Sequence, residues 1–390
     1  MTQLHLDRWA DVLVRHATQV TSGNIVRINA QPAAEPLLKA VYRKVLEAGG
    51  HPIVNCRPEF IGEVFYELAN EDQLDWTNPF TFHEAQAINA SININAITNL
   101  RALDKFATAT TQRAARSQKD SRELFFQRAA VADDPSIDSQ LSPLLWSTTL
   151  FPTNAYAQDS GMSLSDYCDF VIRACQLDQE DPVAFWESLD RWQCQLAEKL
   201  MTGSKLHSQT PAGTDLKVDI TGMRWLSSPS RKNFPDGEVY SGPNLNAKNG
   251  GADGVVFFDK RYVYQGHAVH NARIVLESGR ATEVTAEEGG DFLIAMLDQD
   301  EGARRIGEVA FGTNRAITRP TGQILYDEKM GGSFHLAFGA GYPETGNVNK
   351  SALHWDLIAS LTEGSLVTLD GKPFCVDGRF VEMPPEVTWI

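Results

Sequence analysis

The chain has 390 residues, enough for two or three domains at ~150 residues each. Hydrophobic residues make up 42% and charged residues 22%, which excludes a disordered chain, a collagen-like repeat and a disulfide-stapled miniprotein. The net charge of −15, with no Lys/Arg block, argues against nucleic acid as a partner, and five cysteines without a CxxC pair lack both zinc-finger spacing and the pattern of a disulfide framework. No apolar run approaches the ~18 residues of a membrane helix, and the N-terminal MTQLHLDRW has no signal-peptide layout. A cytoplasmic protein with no membrane partner is expected.

The first half alternates helical and extended patterns. Residues 7–18 space Trp9, Val12 and Leu13 as a helix does, and residues 24–30 alternate as a strand. Residues 35–48 put Leu37, Leu38, Val41, Tyr42 and Val45 on one helix side, with Pro36 in the first turn and Gly49-Gly50 at the end. A second strand follows over 52–56. This β-α-β order predicts parallel strands joined by a right-handed crossover. The turn into the first crossover helix, QPAAEP, is not GxGxxG, so no dinucleotide site is read there. Further helices are expected over 61–69, 82–88, 103–132, 164–175 and 182–202, and a strand over 91–98. Ser163 and Asp181 are the expected N-caps, and Gly203 the stop.

After Gly203 the pattern turns to short strands separated by Gly-rich turns, over 216–222, 255–259, 272–277, 283–286, 305–311, 332–338, 352–357, 366–369 and 379–382. Hairpin turns are expected around Ser278-Gly279 and Asp370-Gly371. The expected architecture is an α/β N-terminal domain over 1–203 plus a strand-rich α+β C-terminal domain over 204–390.

Chemistry concentrates in the second half. His5, His16, His51, His83 and His207 are read as packed or surface residues in helices or loops, and His267 and His270 as a weak metal pair without a nearby carboxylate. In GGSFHLAFGAGY, alternation puts Phe334, Leu336 and Phe338 on one strand face and Ser333, His335 and Ala337 on the other. The small neighbours leave His335 room for a ligand, although a wet sheet face would look the same. In SALHWDLIA, His354 and Asp356 share one face opposite Leu353, Trp355 and Leu357. Asp356 suits either a second ligand of one ion or a carboxylate that orients the imidazole. In RRIGEVAFGTN, Ile306, Glu308 and Ala310 share a face, where an unpaired carboxylate would be costly. In NFPDGEVYSGP, a Pro-Asp-Gly turn delivers Glu238 to a strand start, and taken alone it reads as a solvated hairpin turn. Two histidines and three carboxylates exceed the usual three protein ligands of a mononuclear catalytic zinc. They suit two ions of zinc, cobalt, manganese or iron that share bridging carboxylates.

At these residues the sequence resembles the aminopeptidase T and aminopeptidase S family of thermophilic-type two-metal metallopeptidases. The resemblance runs from NIVRINAQPAAEPLLKAVYRKVLEAGGHPIV through LLWSTTLFPTNAYAQDSGMSLSDYCDFV, and is strongest in NFPDGEVYSGP, IGEVAFGTN, LYDEKMGGSFHLAFGAGYPETG and SALHWDL. It implies a metal site in the C-terminal domain, with Glu238, Glu308, His335, His354 and Asp356 as ligands of two divalent ions (zinc, cobalt, manganese or magnesium). It places Glu328 and Tyr342 at the same centre, Glu328 as the proton-transferring base on a metal-bridged water and Tyr342 as a ligand or an oxyanion donor. It also implies a homodimer and, as substrate, a peptide with a free N-terminus. The alternative is a mononuclear Fe(II) ring-cleaving dioxygenase on a similar scaffold, using His335, His354 and Asp356 alone. Glu238 and Glu308 would have no part in such a site.

Overall fold

The computed structural model describes residues 1–381 apart from 134, 139, 265 and 266. The last residue of the strand expected over 379–382 lies outside the described residues. The chain forms two compact units, residues 1–183 with 230–234 and residues 184–229 with 235–390.

In the first unit the alternating segments build a five-stranded sheet ordered His51–Cys56, Ile25–Ala30, Ala90–Asn95, Leu145–Leu150 and Asn233–Phe234, with every neighbouring pair parallel. The predicted β-α-β unit is there, with Glu35–Glu47 as its helix. One sheet face carries Val26, Ile28, Ile92 and Ile94, all buried, as are Leu37, Val41 and Val45 of that helix. The last two strands were not legible as strands, and Asn233–Phe234 joins the sheet from far along the chain.

Two helix predictions shift for local reasons. The first helix begins at Gln3, because Thr2 and His5 form a reciprocal cap, and it continues as a π-helix over Val12–Ala17. The segment 103–132 contains two helices, Thr108–Arg116 and Lys119–Asp133. Between them the Ser117 hydroxyl turns back to donate to the Ala114 carbonyl (2.8 Å). Ser163 caps Leu164–Ala174 as expected, accepting from the Asp166 amide at 3.1 Å.

The second unit holds two antiparallel sheets. One has eight strands, ordered Arg280–Thr285, His267–Glu277, Ala252–Tyr264, Asp215–Asp219, Lys205–Gln209, Leu366–Leu369, Lys372–Val376 and Arg379–Phe380. Its hairpins turn at Ser278-Gly279 and Asp370-Gly371, where both central residues have positive φ, as the twist of a two-residue hairpin requires. The other has five strands, ordered His354–Ser360, Ser333–Gly339, Ile306–Gly312, Glu238–Ser241 and Leu226–Ser228. His207, expected in a helix or loop, lies on the strand Lys205–Gln209 with Nε2 2.6 Å from Asp215. A helix that the strand-rich pattern hid, Gly290–Leu297, also belongs to this unit.

The five-stranded sheet has two different faces. Val239, Phe311, Phe334, Leu336, Phe338, Trp355 and Leu357 form the apolar one, and all are buried. It packs on the eight-stranded sheet, with Phe338 edge-on to Phe258 and Phe311 against Phe374 and Phe380. Tyr262 fixes the overlap, its hydroxyl accepting from the Ile358 amide (2.9 Å) while Asp259 accepts from the Ser360 amide (2.9 Å). The opposite face is free to carry chemistry.

Candidate metal centre

Register decides which side chains meet. Gly312 pairs with Glu238 and Ala310 with Tyr240; Ala310 pairs with His335 and Glu308 with Ala337; Ala337 pairs with Asp356 and Gly339 with His354. Cross-strand partners point to the same side of a sheet, so Glu238, Glu308, His335, His354 and Asp356 all project from one face. Ala310, Gly312, Ala337 and Gly339 lie among them and leave space.

One sequence expectation is corrected here. Ile306 pairs with Phe338, whereas Glu308 pairs with Ala337, so Gly307 is the extra residue of a β-bulge. Ile306 therefore lies on the apolar face, not beside Glu308. A Cβ on Gly307 would fall 2.1 Å from the Ala340 carbonyl oxygen, so the bulge needs glycine. The Pro235-Asp236-Gly237 turn is also not solvated. Asp236 is fully buried and Glu238 nearly so. Gly237 has φ +123°, and a Cβ there would meet Asn314 at 2.9 Å.

The five side chains form two overlapping groups, Glu238–Glu308–His335 and Glu308–His354–Asp356, each with its donor atoms within 4.8 Å of one another. His335 Nε2 is 3.4 Å from Glu238 Oε2 and 3.4 Å from Glu308 Oε1. His354 Nε2 is 3.3 Å from Glu308 Oε2 and 3.8 Å from Asp356 Oδ1. Glu308 thus turns one oxygen to each histidine. His354 Nδ1 donates to the Ala340 carbonyl (2.9 Å), which turns Nε2 toward the cluster. The Tyr342 hydroxyl is 3.3 Å from that same Nε2. Beside His354 and Asp356 lies a cavity of about 130 Å³ lined by Tyr262, Tyr264, Trp355 and Ile358 among others.

Burial and charge set the protonation. Burial pulls His335 and His354 down, but hydrogen bonds to Glu308 and the surrounding carboxylates outweigh it, raising them to about 9 and about 10. Burial pushes Glu308 up, yet the two imidazoles hold it at about 2. Asp356 is raised to about 6 by burial, then by Glu328 and Glu308. Burial of the Tyr342 phenol drives its pKa far up, so it stays protonated. At pH 7 both histidines lie below their pKa values and hold protons that a cation must expel. Metal loading is therefore expected to release protons, with apparent affinity weakening as pH falls and levelling off only above about 10. Titration calorimetry in buffers of different ionisation heat measures this, and a buffer-independent heat at pH 7 would contradict it.

Lys329 joins the site without a motif of its own in the sequence. It is fully buried, donates to Glu238, and lies 2.8 Å from Glu328 Oε1 and 3.4 Å from Asp236 Oδ1. Burial would lower its pKa, but the three carboxylates hold it above the ordinary lysine value. The only signal for it was its place beside Glu328 in DEKMGG. Lys329→Met leaves buried carboxylates without their counter-ion, which costs ~3–5 kcal/mol. The expected result is a large drop in the urea midpoint of the metal-free protein, partly recovered on adding a divalent cation. An unchanged midpoint would show that the charge is not needed.

Among the other expectations, Glu328 lies close enough for its charge to raise both Glu238 and Asp356. His267 and His270 are not brought into a metal group among the described residues, and His267 stacks on Phe292 instead. The cluster also passes a test of fit to a cation. Among the described residues Glu238 Oε2 and His335 Nδ1 are buried without a hydrogen-bond partner, and the first of these faces His335 Nε2 at 3.4 Å, as two donors to one cation would.

Two imidazoles and three carboxylates on one sheet face are the donor chemistry of a divalent-metal protein. The chain belongs to the thermophilic metalloprotease (M29) family, whose model matches residues 2–380. Aminopeptidase 2 of Geobacillus stearothermophilus is 24% identical over 94% of this chain and 95% of its own length. Aminopeptidase T of Thermus aquaticus is 35% identical over 45% of each chain. Among solved structures, wild-type AmpT from Thermus thermophilus shares the fold with a TM-score of 0.81 at 23% identity, over 97% of this chain and 99% of that one. The 2,5-dihydroxypyridine dioxygenase from Pseudomonas putida KT2440 shares it more loosely, with a TM-score of 0.59 at 12% identity over the full length of both.

Proposed function

We propose that this chain is a metal-dependent aminopeptidase that removes N-terminal residues from peptides, with its metal site in the strand-rich C-terminal portion (204–390). The observation that carries the reading is the pair of overlapping donor groups sharing Glu308. Glu238, Glu308 and His335 would hold one divalent ion, and Glu308, His354 and Asp356 a second, drawn from zinc, cobalt, manganese or magnesium. When bound, such ions polarise the scissile carbonyl and bring the pKa of water from 15.7 toward ~7.

The chain's own groups do the rest. Glu328, held 2.8 Å from Lys329, takes the proton of the attacking water and returns it to the leaving amine. Tyr342, kept as a phenol, donates to the oxygen on which charge develops. A free α-amine would sit beside the acidic groups of the site or a bound ion, which accounts for action at N-termini. The 130 Å³ cavity beside His354 and Asp356, whose lining also includes Arg261 and Asp327, suits an N-terminal side chain of modest size.

Aminoacyl p-nitroanilides assayed with and without chelator test this. Release that chelator abolishes and metal restores, with N-acetylated substrates refused, is expected. Chelator-insensitive release, or none with any metal, would overturn it. A dioxygenase needs only the two histidines and Asp356, and the burial of Glu238 and Glu308 in the same cluster favours the peptidase.

We place the protein in the cytoplasm as a homodimer. Among the described residues no helix is long and apolar enough to cross a membrane. Phe60, Leu68 and Phe80 are 62%, 74% and 76% exposed, large apolar side chains that a second copy of the chain would cover. Sedimentation at the mass of a single chain would contradict the dimer.

A further inference from the structure

The first unit contains a cavity of about 880 Å³, within the size range of ligand sites, and none of the five metal-site residues lines it. Its floor is the face of the parallel sheet opposite Val26 and Ile28. Parallel sheets are normally covered by apolar side chains on both faces. Here register aligns Asn55, Asn29, Asn93 and Thr148 at one level across four strands. Their side chains are hydrogen-bonded in series, Asn55 Nδ2 to Asn29 Oδ1 (3.3 Å), Asn29 Nδ2 to Asn93 Oδ1 (2.7 Å) and Asn93 Nδ2 to Thr148 Oγ1 (3.2 Å). A row of amides under a cavity presents donors and acceptors where apolar residues would have packed better.

Its position in the sheet is also that of a ligand site. From Ile25–Ala30 the chain runs to His51–Cys56 on one side, and Ala90–Asn95 lies on the other. The strand order reverses there, and open α/β sheets bind ligands outside the carboxyl ends of the strands at such a point. Asn29 and Asn55 are the penultimate residues of their strands, and Asn95 is the last of its own.

Charge narrows the ligand. The lining carries Arg27, Arg57 and Arg122 against Glu84 alone, in a chain whose net charge is −15. Glu84 is already engaged by Arg27 and Asn55, both at 3.1 Å. Arg57 and Arg122 have no ion-pair partner among the described residues. Phosphate is disfavoured, since the turn Gln31-Pro32-Ala33-Ala34 has no glycine, Pro32 has no N–H, and Glu35 opens the helix. A carboxylate paired with guanidinium suits the remaining charge. Tyr66, Trp76 and Phe125 supply an aromatic wall.

We propose that this cavity is a second ligand site, which takes a short peptide by its C-terminal carboxylate at Arg57 and Arg122 and by its backbone amides on the asparagine row. The inference does not depend on the aminopeptidase reading. The test is calorimetric titration of the metal-loaded full chain with N-acetyl-Ala-Phe, which has no free amine, and with its C-terminal amide. The acid is expected to bind about tenfold or more tightly than the amide. The double variant Arg57→Gln/Arg122→Gln, at two exposed positions, is expected to lose that preference while keeping wild-type release from an aminoacyl p-nitroanilide and an unchanged melt. The reading is overturned if acid and amide bind alike, if neither binds, if the double variant binds as the wild type does, or if free phenylalanine or inorganic phosphate binds as tightly as the peptide.

Discussion

Glu308→Gln is expected to empty both halves of the metal centre at once. Its two oxygens face the two histidines at 3.4 and 3.3 Å, and it belongs to both donor groups. Loss of an outer partner of a metal ligand already costs ~10–100-fold in affinity, so loss of a shared ligand should exceed ~100-fold. Elemental analysis after gel filtration should find little metal, and peptidase activity should fall to background. A second readout needs no metal. Glu308 is the leading cause that raises His335 to about 9 and His354 to about 10, so in the variant both should titrate nearer the ordinary ~6.5, as followed by NMR of the imidazoles. Full metal content in the variant would remove Glu308 from the ligand set.

Glu328→Gln separates binding from chemistry. Glu328 contacts Lys329 and lies outside both donor groups, so the variant should keep its metal. The amide cannot accept the proton of the attacking water, and kcat should fall by ~10²–10⁴-fold with KM little changed. Near-wild-type turnover would assign the base to another group. The fold should survive, because Lys329 still has Asp236 and Glu238 as partners.

Much of the local structure could be read from residue patterns. The alternation in SFHLAFG and HWDLIAS put His335 on one side and His354 with Asp356 on one side, because a strand's period of two is a local property of the backbone. The β-α-β opening and the Ser-Gly and Asp-Gly turns were legible for the same reason. The Gly307 bulge was not, since an extra residue is visible only against the strand it pairs with. Ile306 was therefore placed beside Glu308 when it lies on the other face. Asp236 looked solvated because a Pro-Asp-Gly turn is usually exposed, and only the packing of Asn314 and Lys329 around it shows that it is buried.

From the sequence alone came the types of donor, their strand faces and, through resemblance, the family and the five candidate ligands. Tertiary structure decided that five side chains from four strands converge around Glu308, that Lys329 neutralises the acids beside them, and that a parallel sheet in the other unit lines a cavity with amides. The reason is the range of the forces involved. Strand alternation and turn geometry act between neighbours in the chain, whereas cross-strand register, burial and charge compensation act between residues far apart in it, 118 positions from Glu238 to Asp356, and exist only once the sheet has formed.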